Sequence, residues 1–338
     1  MNVVIISAGR VGALNERISV AEYLVGRIID RETSPLIMTP EQVEERIKQG
    51  NIPNVIITSY GDTYVQEGCE SINSAIALKR LCRARGGNTA LISVDDPRSR
   101  QGEFDLYFLQ THMSRNFDLA KLEQNARLLN GMPCRANSAS LNRTVIANQF
   151  EVLDMFSGCE PVLLVLGGDI PDRGVFSEQD SRKLANDVAE QARLIGGNAK
   201  IFITDSSRTN DSQVPTITKI LKEQGVVFEH LPFKQCPMNK LYTMMKFAKL
   251  VVVTGDSMMM CAESSAINGN ARVFVPESVM EDMHNSFLDV YLRCGVLSLL
   301  GDEKAPPREI VSIDTARAMA GAVLHRIEML GKAASISP

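Results

Sequence analysis

Short apolar runs rich in β-branched residues recur along the chain, each followed by a stretch whose apolar positions keep the spacing of one helix face. In the first half Val3–Ser7, Leu36–Thr39, Asn54–Ser59, Thr89–Val94 and Asp105–Leu109 read as strands. Several are unbroken, which suits parallel strands buried on both sides. Ile18–Arg31, Pro40–Gln49 and Gly68–Arg85 read as the helices between them. In the last of these, Ile72, Ala75, Ile76 and Lys79 follow the i, i+3, i+4, i+7 spacing.

The rhythm then restarts. Val162–Leu166, Lys200–Thr204, Val226–Leu231, Leu250–Thr254 and Arg272–Val275 read as strands, and Ser177–Leu194, Val214–Gln224, Met238–Ala248 and a segment from Ser257 as helices. A closing helix is expected near Asp314–Leu330. Repeated βα units predict parallel doubly wound sheets, and two runs of them predict two Rossmann-like α/β domains. The join is expected between Phe150 and Glu160, where Ser157-Gly158-Cys159-Glu160-Pro161 supplies loop residues. That sets an N-terminal domain over residues 1–155, a second over 160–312 and a helix over 313–332. The halves share a fold pattern without a detectable sequence repeat.

Composition narrows this picture. A length of 338 residues suits two domains, and 44% hydrophobic against 22% charged residues suits packed cores. A net charge of −4 argues against a nucleic-acid coat, because phosphate binding needs clustered Lys and Arg. The absence of Trp weakens any reading based on stacked sugars or bases. Seven scattered cysteines form no CxxC pair and no ligand-spaced set with His, so free thiols in a reducing compartment are expected, and no metal. No secretory leader and no apolar stretch of about 18 residues is read, which makes the expectation a cytoplasmic protein without a transmembrane segment.

Ligands of open parallel sheets bind beyond the carboxyl ends of the strands. That rule selects four loops. Ser7-Ala8-Gly9-Arg10-Val11-Gly12 follows the first strand; Gly9 and Gly12 allow close backbone approach and Arg10 suits an anion. It is not a GxGxxG, so a nicotinamide cofactor reading is weak. Gly167-Gly168-Asp169 follows the first strand of the second half, and serves either as an open strand end for a ligand or as a tight turn. Thr204-Asp205-Ser206-Ser207-Arg208-Thr209 packs hydroxyls and an arginine after a strand. Such a cluster is costly to bury unsatisfied, so it is either solvated or aimed at a polar ligand, with Ser206, Arg208 and Thr209 as the contacts.

The sharpest is Val251-Val252-Val253-Thr254-Gly255-Asp256-Ser257: a strand, a glycine turn and a helix start. Unpaired N–H groups at a helix N-terminus make an anion site, and Ser257 is either its contact or an N-cap. Asp256 suits sugar or ribose hydroxyls. Glu263, seven residues on, is a second candidate acceptor on the same helical face. In the first half, Asp95-Asp96-Pro97-Arg98 offers Asp96 as a general base, while adjacent strand carboxylates point apart and make a poor metal pair. Among the histidines, His112 and His284 sit in polar contexts expected after strands.

These loops carry a resemblance to the mitochondrial fission (elongated mitochondria) family over roughly residues 3–328. The carriers are Gly9-Arg10-Val11-Gly12 with Asn15, Ala77-Leu78-Lys79-Arg80, Asp96-Pro97-Arg98, Leu166-Gly167-Gly168, Thr204–Thr209, Asn239 with Tyr242, and Val252–Ser257 running on to Glu263. The resemblance implies a GT-B-like fold, two domains facing a cleft, and a closing helix that crosses back onto the first domain. It implies a nucleotide-linked sugar held by Gly167, Gly168, Ser206, Arg208, Asp256, Ser257 and Glu263, and an unknown acceptor near Gly9–Gly12 and Asp96. The leaving diphosphate is then stabilised by a helix N-terminus and basic side chains, without a metal or other cofactor. The family's first loop usually continues His-Glu where this chain has Ala13-Leu14. If that His is the base, Asp96 or His284 must substitute. The alternative is a non-catalytic binding or regulatory protein that retains the fold, and a nicotinamide-dependent enzyme is a distant third.

Overall fold

Residues alternate between two cores along the first strand. The computed structural model describes residues 1–6, 11–27, 29, 34–59, 67–112, 122–137, 139–170, 174–302 and 313–336, with the side chains of 11–13, 67–70, 137, 139, 140, 142–144 and 332–336 left out. Val3 and Ile5 of β1 (Val3–Ile6) face one apolar cluster, and Val4 and Ile6 face another. This is the period of two that a strand imposes. β3 (Val55–Thr58) does the same with Val55 and Ile57 against Ile56. A run of apolar residues with no polar break therefore reads as a strand covered on both sides.

The chain divides into two units, Met1–Ser140 with Asp314–Pro338, and Leu141–Ile313. The first holds β1, α1 (Val11–Val25), β2 (Ile37–Met38), α2 (Pro40–Lys48), β3, α3 (Glu67–Ala84), β4 (Ala90–Ser93), β5 (Leu106–Gln110) and β6 (Ala126–Leu129). Its six strands pair in parallel in the order β2-β1-β3-β4-β5-β6. α2 starts where Thr39 accepts the Gln42 amide and the Gln42 side chain returns to the Thr39 amide, a complete capping box ahead of Pro40. α1 differs from the sequence expectation of Ile18–Arg31. It begins seven residues earlier, directly after the first loop, and stops before Gly26, whose φ of 67° only glycine adopts without strain.

α4 (Ala139–Met155) precedes the second sheet, and Leu141 onward belongs to the second unit, ahead of the expected join at Phe150–Glu160. Two contacts tie the end of α4 and the residue after it to the second unit. The Phe156 ring lies 4.8 Å from that of Phe202, and Lys240 pairs with Glu151 at 2.7 Å. The second unit continues with β7 (Glu160–Val165), α5 (Glu178–Ile195), β8 (Ala199–Thr204), α6 (Gln213–Glu223), β9 (Val227–Leu231), α7 (Met238–Phe247), β10 (Leu250–Thr254), α8 (Met258–Ile267), β11 (Ala271–Phe274), α9 (Asp282–Arg293) and β12 (Ser298–Leu299). Its parallel order is β12-β11-β10-β7-β8-β9. The fold is thus α/β with two Rossmann-like parallel sheets.

The closing helix, α10 (Thr315–Ile336), joins the first unit. Ala316, Met319, Ala320 and Val323 enter the same core as Val3, Ile5 and α1. At its start the Tyr23 hydroxyl donates to Asp314 at 2.7 Å and the Thr315 hydroxyl to the Asn130 carbonyl at 2.6 Å.

Candidate functional site

In each sheet the chain sets out from one strand in opposite directions. The reversal falls between β1 and β3 in the first unit and between β7 and β10 in the second. A crevice at the carboxyl ends of such a strand pair is where open α/β sheets bind ligands. In the second unit that position is occupied by the loops after β7, β8 and β10, three of the four selected from sequence.

Those loops are tied together by hydrogen bonds. The Gly167 amide donates to the Thr254 hydroxyl at 2.7 Å, and the Gly168 amide to Asp256 Oδ2 at 2.9 Å. Arg208 Nη2 reaches the same Oδ2 at 3.0 Å, while its Nη1 donates to the Asp169 carbonyl at 3.2 Å. The Asp169 carboxylate accepts the Phe176 amide and the Asn210 side chain, at 2.8 and 2.9 Å. Thr209 donates its hydroxyl to the Gly167 carbonyl and accepts the Ser206 amide. The hydroxyl cluster after β8 is therefore spent largely on neighbouring loops, an outcome between the solvated and ligand-directed readings. Asn210 and Thr254 help organise this site; the unbroken polar run from Thr204 into Asn210 was the signal for the first.

The two glycines are dictated by packing. A Cβ on Gly167 would overlap the Asp256 carboxylate, and one on Gly168 would overlap the Arg208 backbone. Gly255, by contrast, would place a Cβ 3.0 Å from the Leu288 side chain and 3.4 Å from the Phe274 carbonyl, a tight fit of lesser consequence. Ser257 stands before α8 without a side-chain hydrogen bond to the helix. Among the described residues the first amides of α8 thus have no side-chain cap, and their partial positive charge lies next to the Asp256 turn.

Glu263 and His284 lie elsewhere in these elements. Asp256 sits in the turn ahead of α8, so the seven-residue spacing does not put it on one helical face with Glu263. Glu263 is fully buried within α8 and accepts the Tyr242 hydroxyl. His284 is inside α9 and only 5% exposed, not in a loop after a strand. His284, Phe287, Leu288 and Tyr291 form the buried face of that helix, and their i, i+3, i+4, i+7 spacing was a legible signal obscured by the polar first member.

In the first unit Asp96 follows β4. Its Oδ1 accepts the Arg98 amide at 2.9 Å and Gln101 Nε2 at 3.0 Å, and Arg98 Nη1 stands 3.7 Å from Oδ2. Arg98 takes a φ of 56°, an uncommon left-handed conformation for a side chain of its size. Burial, helped by the Glu123 and Asp96 carboxylates, pushes the Tyr107 phenol up from its ordinary pKa. Gly9 and Arg10 lie outside the described residues, and Gly12 belongs to the first turn of α1. Among the described residues no group of three or more His, Cys, Asp or Glu is placed to hold a metal ion, and no helix is long and apolar enough to cross a membrane.

The whole chain is similar to UDP-N-acetylglucosamine 2-epimerase from Rickettsia bellii, with a TM-score of 0.51 and 12% identity over 98% of this chain and 97% of that one. The Methanocaldococcus jannaschii UDP-GlcNAc 2-epimerase gives 0.49 and 10%, covering 96% and 99%. ADP-heptose lps heptosyltransferase II of E. coli gives 0.44 and 13%, covering 87% and 99%. At 12% identity the likeness to the Rickettsia bellii protein speaks for the GT-B-like fold alone. No curated protein matches the chain. Residues 16–327 match the family described as Mitochondrial fission ELM1, and the chain belongs to that family.

Proposed function

We propose that the protein is glycosyltransferase-like: it binds a nucleotide-activated sugar at the β7/β10 crevice of the second unit and passes the sugar to an acceptor without a metal. The observation that carries this reading is Arg208, held by Asp256 and the Asp169 carbonyl beside the uncapped start of α8. A guanidinium and a helix N-terminus together stabilise a diphosphate, both as bound ligand and as the leaving group whose charge grows during transfer. Ser206, Thr209, Gly167 and Gly168 shape the wall, and Ser257 contributes at the helix start. Asp96 in the first unit is the candidate general base, with the acceptor held near Gly9–Gly12. The free cysteines suit a protein that works in the cytoplasm, which cell fractionation tests.

A thermal-shift screen against nucleoside diphosphates and their sugar conjugates tests the binding reading. Ligand at about 100 times its dissociation constant stabilises the folded protein by about 2.7 kcal/mol. No shift from any of them, with the protein folded, removes it. Two observations favour a second reading. His284 is buried in α9, and Ala13-Leu14 stand in the first turn of α1. On that reading the fold, lacking a histidine base, serves binding or regulation. Sugar-nucleotide turnover that disappears in Asp96→Ala decides for transfer; binding without turnover decides for the second reading.

A further inference from the structure

Asp256 is the acid that the loop after β10 places against Gly167 and Arg208, and its surroundings give it an unexpected role. Its side chain has no exposed surface. Both hydrogen bonds that it accepts fall on Oδ2, from the Gly168 amide and from Arg208 Nη2. Oδ1 is buried without a hydrogen-bond partner among the described residues and packs against Gly167, in the space that a Cβ there would need. A carboxylate enclosed in this way has no face to offer a sugar or ribose hydroxyl.

An asparagine of the same shape would still accept the Gly168 amide. What the carboxylate adds is its charge, and the group that uses it is the guanidinium. Buried ion pairs seldom stabilise a fold relative to apolar packing, so their value is sought in geometry. Arg208 bears that out. It is fixed through two different nitrogens, Nη2 to Asp256 and Nη1 to the Asp169 carbonyl, while 30% of its side chain stays exposed. Of the five N–H donors of a guanidinium, two are engaged by the described residues, which leaves three. The fork is oriented before any ligand arrives, which lowers the ordering cost of binding.

We infer that Asp256 is a positioning residue: it touches no ligand and acts by holding Arg208, whose remaining donors meet the phosphates of a nucleoside diphosphate. This rests on the nucleotide-binding reading above for the identity of the ligand, though not for the orientation of Arg208.

Calorimetric titration of UDP and ADP, each beside its nucleoside, tests the inference on the full chain as wild type, Asp256→Asn, Arg208→Ala and the double variant. Asp256→Asn is expected to weaken the diphosphate about tenfold or more and leave the nucleoside unchanged, as a loss of one charged hydrogen bond would. In the Arg208→Ala background the same substitution should cost no further affinity. An equal loss in both backgrounds, or an equal loss for the nucleoside, overturns the inference. Nitrogen NMR of the Arg208 guanidinium supplies a reading that needs no ligand. Resolved Nη signals from hindered rotation in the wild type, merging in Asp256→Asn, support it; averaged signals in the wild type overturn it. Should neither diphosphate bind the wild type, the nucleotide-binding reading falls and this spectrum still decides the orientation. The wild-type spectrum also decides if Asp256→Asn does not fold.

Discussion

Gly167 and Arg208 show how far a single side chain constrains the β7/β10 crevice. The absence of a Cβ at Gly167 is what allows the Asp256 carboxylate to lie against the strand end. Gly167→Ala should therefore cost about 1–3 kcal/mol, the usual range for overpacking, and displace the Asp256 turn. Urea unfolding would measure the first effect. Arg208→Ala leaves the same carboxylate buried and without its cation. The expected loss is about 2–4 kcal/mol, with part recovered on adding Asp256→Asn, because removing one partner of a buried pair is worse than neutralising both. Additive losses in the double variant would contradict this. From sequence, the glycines were expected to open the strand end or to form a tight turn. The neighbours that make them obligatory come from two other loops, 40 to 89 positions away, and no local pattern reports such contacts.

Helices in this protein are secured by their ends and by clasps to nearby loops. Asp180, in the first turn of α5, accepts the Ser177 and Ser278 hydroxyls and the amides of Glu277 and Ser278. Burial works against its charged form, and these hydrogen bonds outweigh it, so its pKa lies below the usual carboxylate range. A depressed folded value means stability that is present above the unfolded pKa of about 4 and is lost as pH falls through the folded one. The stability difference between wild type and Asp180→Asn should accordingly be full at pH 7 and shrink below about pH 4, as unfolding at the two pH values would show. At α2, Thr39→Ala should cost about 1 kcal/mol by removing the capping box. That box was readable, since Thr39, Pro40 and Gln42 stand in the right order. α4 was not: Val145 and Val152 are buried but Ile146 and Phe150 are exposed, so its apolar positions do not mark one core-facing side.

Two units, each with its own six-stranded sheet, account for the length of the chain, and α10 ties its far end to the first of them. Met319 and Val323 of α10 are fully buried beside Ile5 and Ile18. Met319→Ala should destabilise the first unit by about 2–5 kcal/mol through the cavity it leaves. Hydrogen exchange would place that loss in β1, β3 and α1 while β7, β8 and β10 keep their protection; a loss spread evenly over both sheets would contradict the division into units.

Ten of the twelve strands among the described residues, their parallel arrangement and the presence of two sheets follow from composition and period, because a strand covered on both sides must be apolar at nearly every position. The partly exposed edge strands β6 and β12 carry no such run and were not read. The positions of the β7, β8 and β10 loops follow as well, since each comes directly after such a run. Which strand lies beside which is a matter of long-range pairing, and the crevice between β7 and β10 exists only once β10 returns beside β7. The roles of Asp256, Glu263 and His284 depended on packing: one carboxylate enclosed by Gly167 and Arg208, one bonded to Tyr242, and an imidazole turned into a helix face. Burial and partners of that kind are made by residues distant in the chain, and they are set when the sheets and helices close on one another.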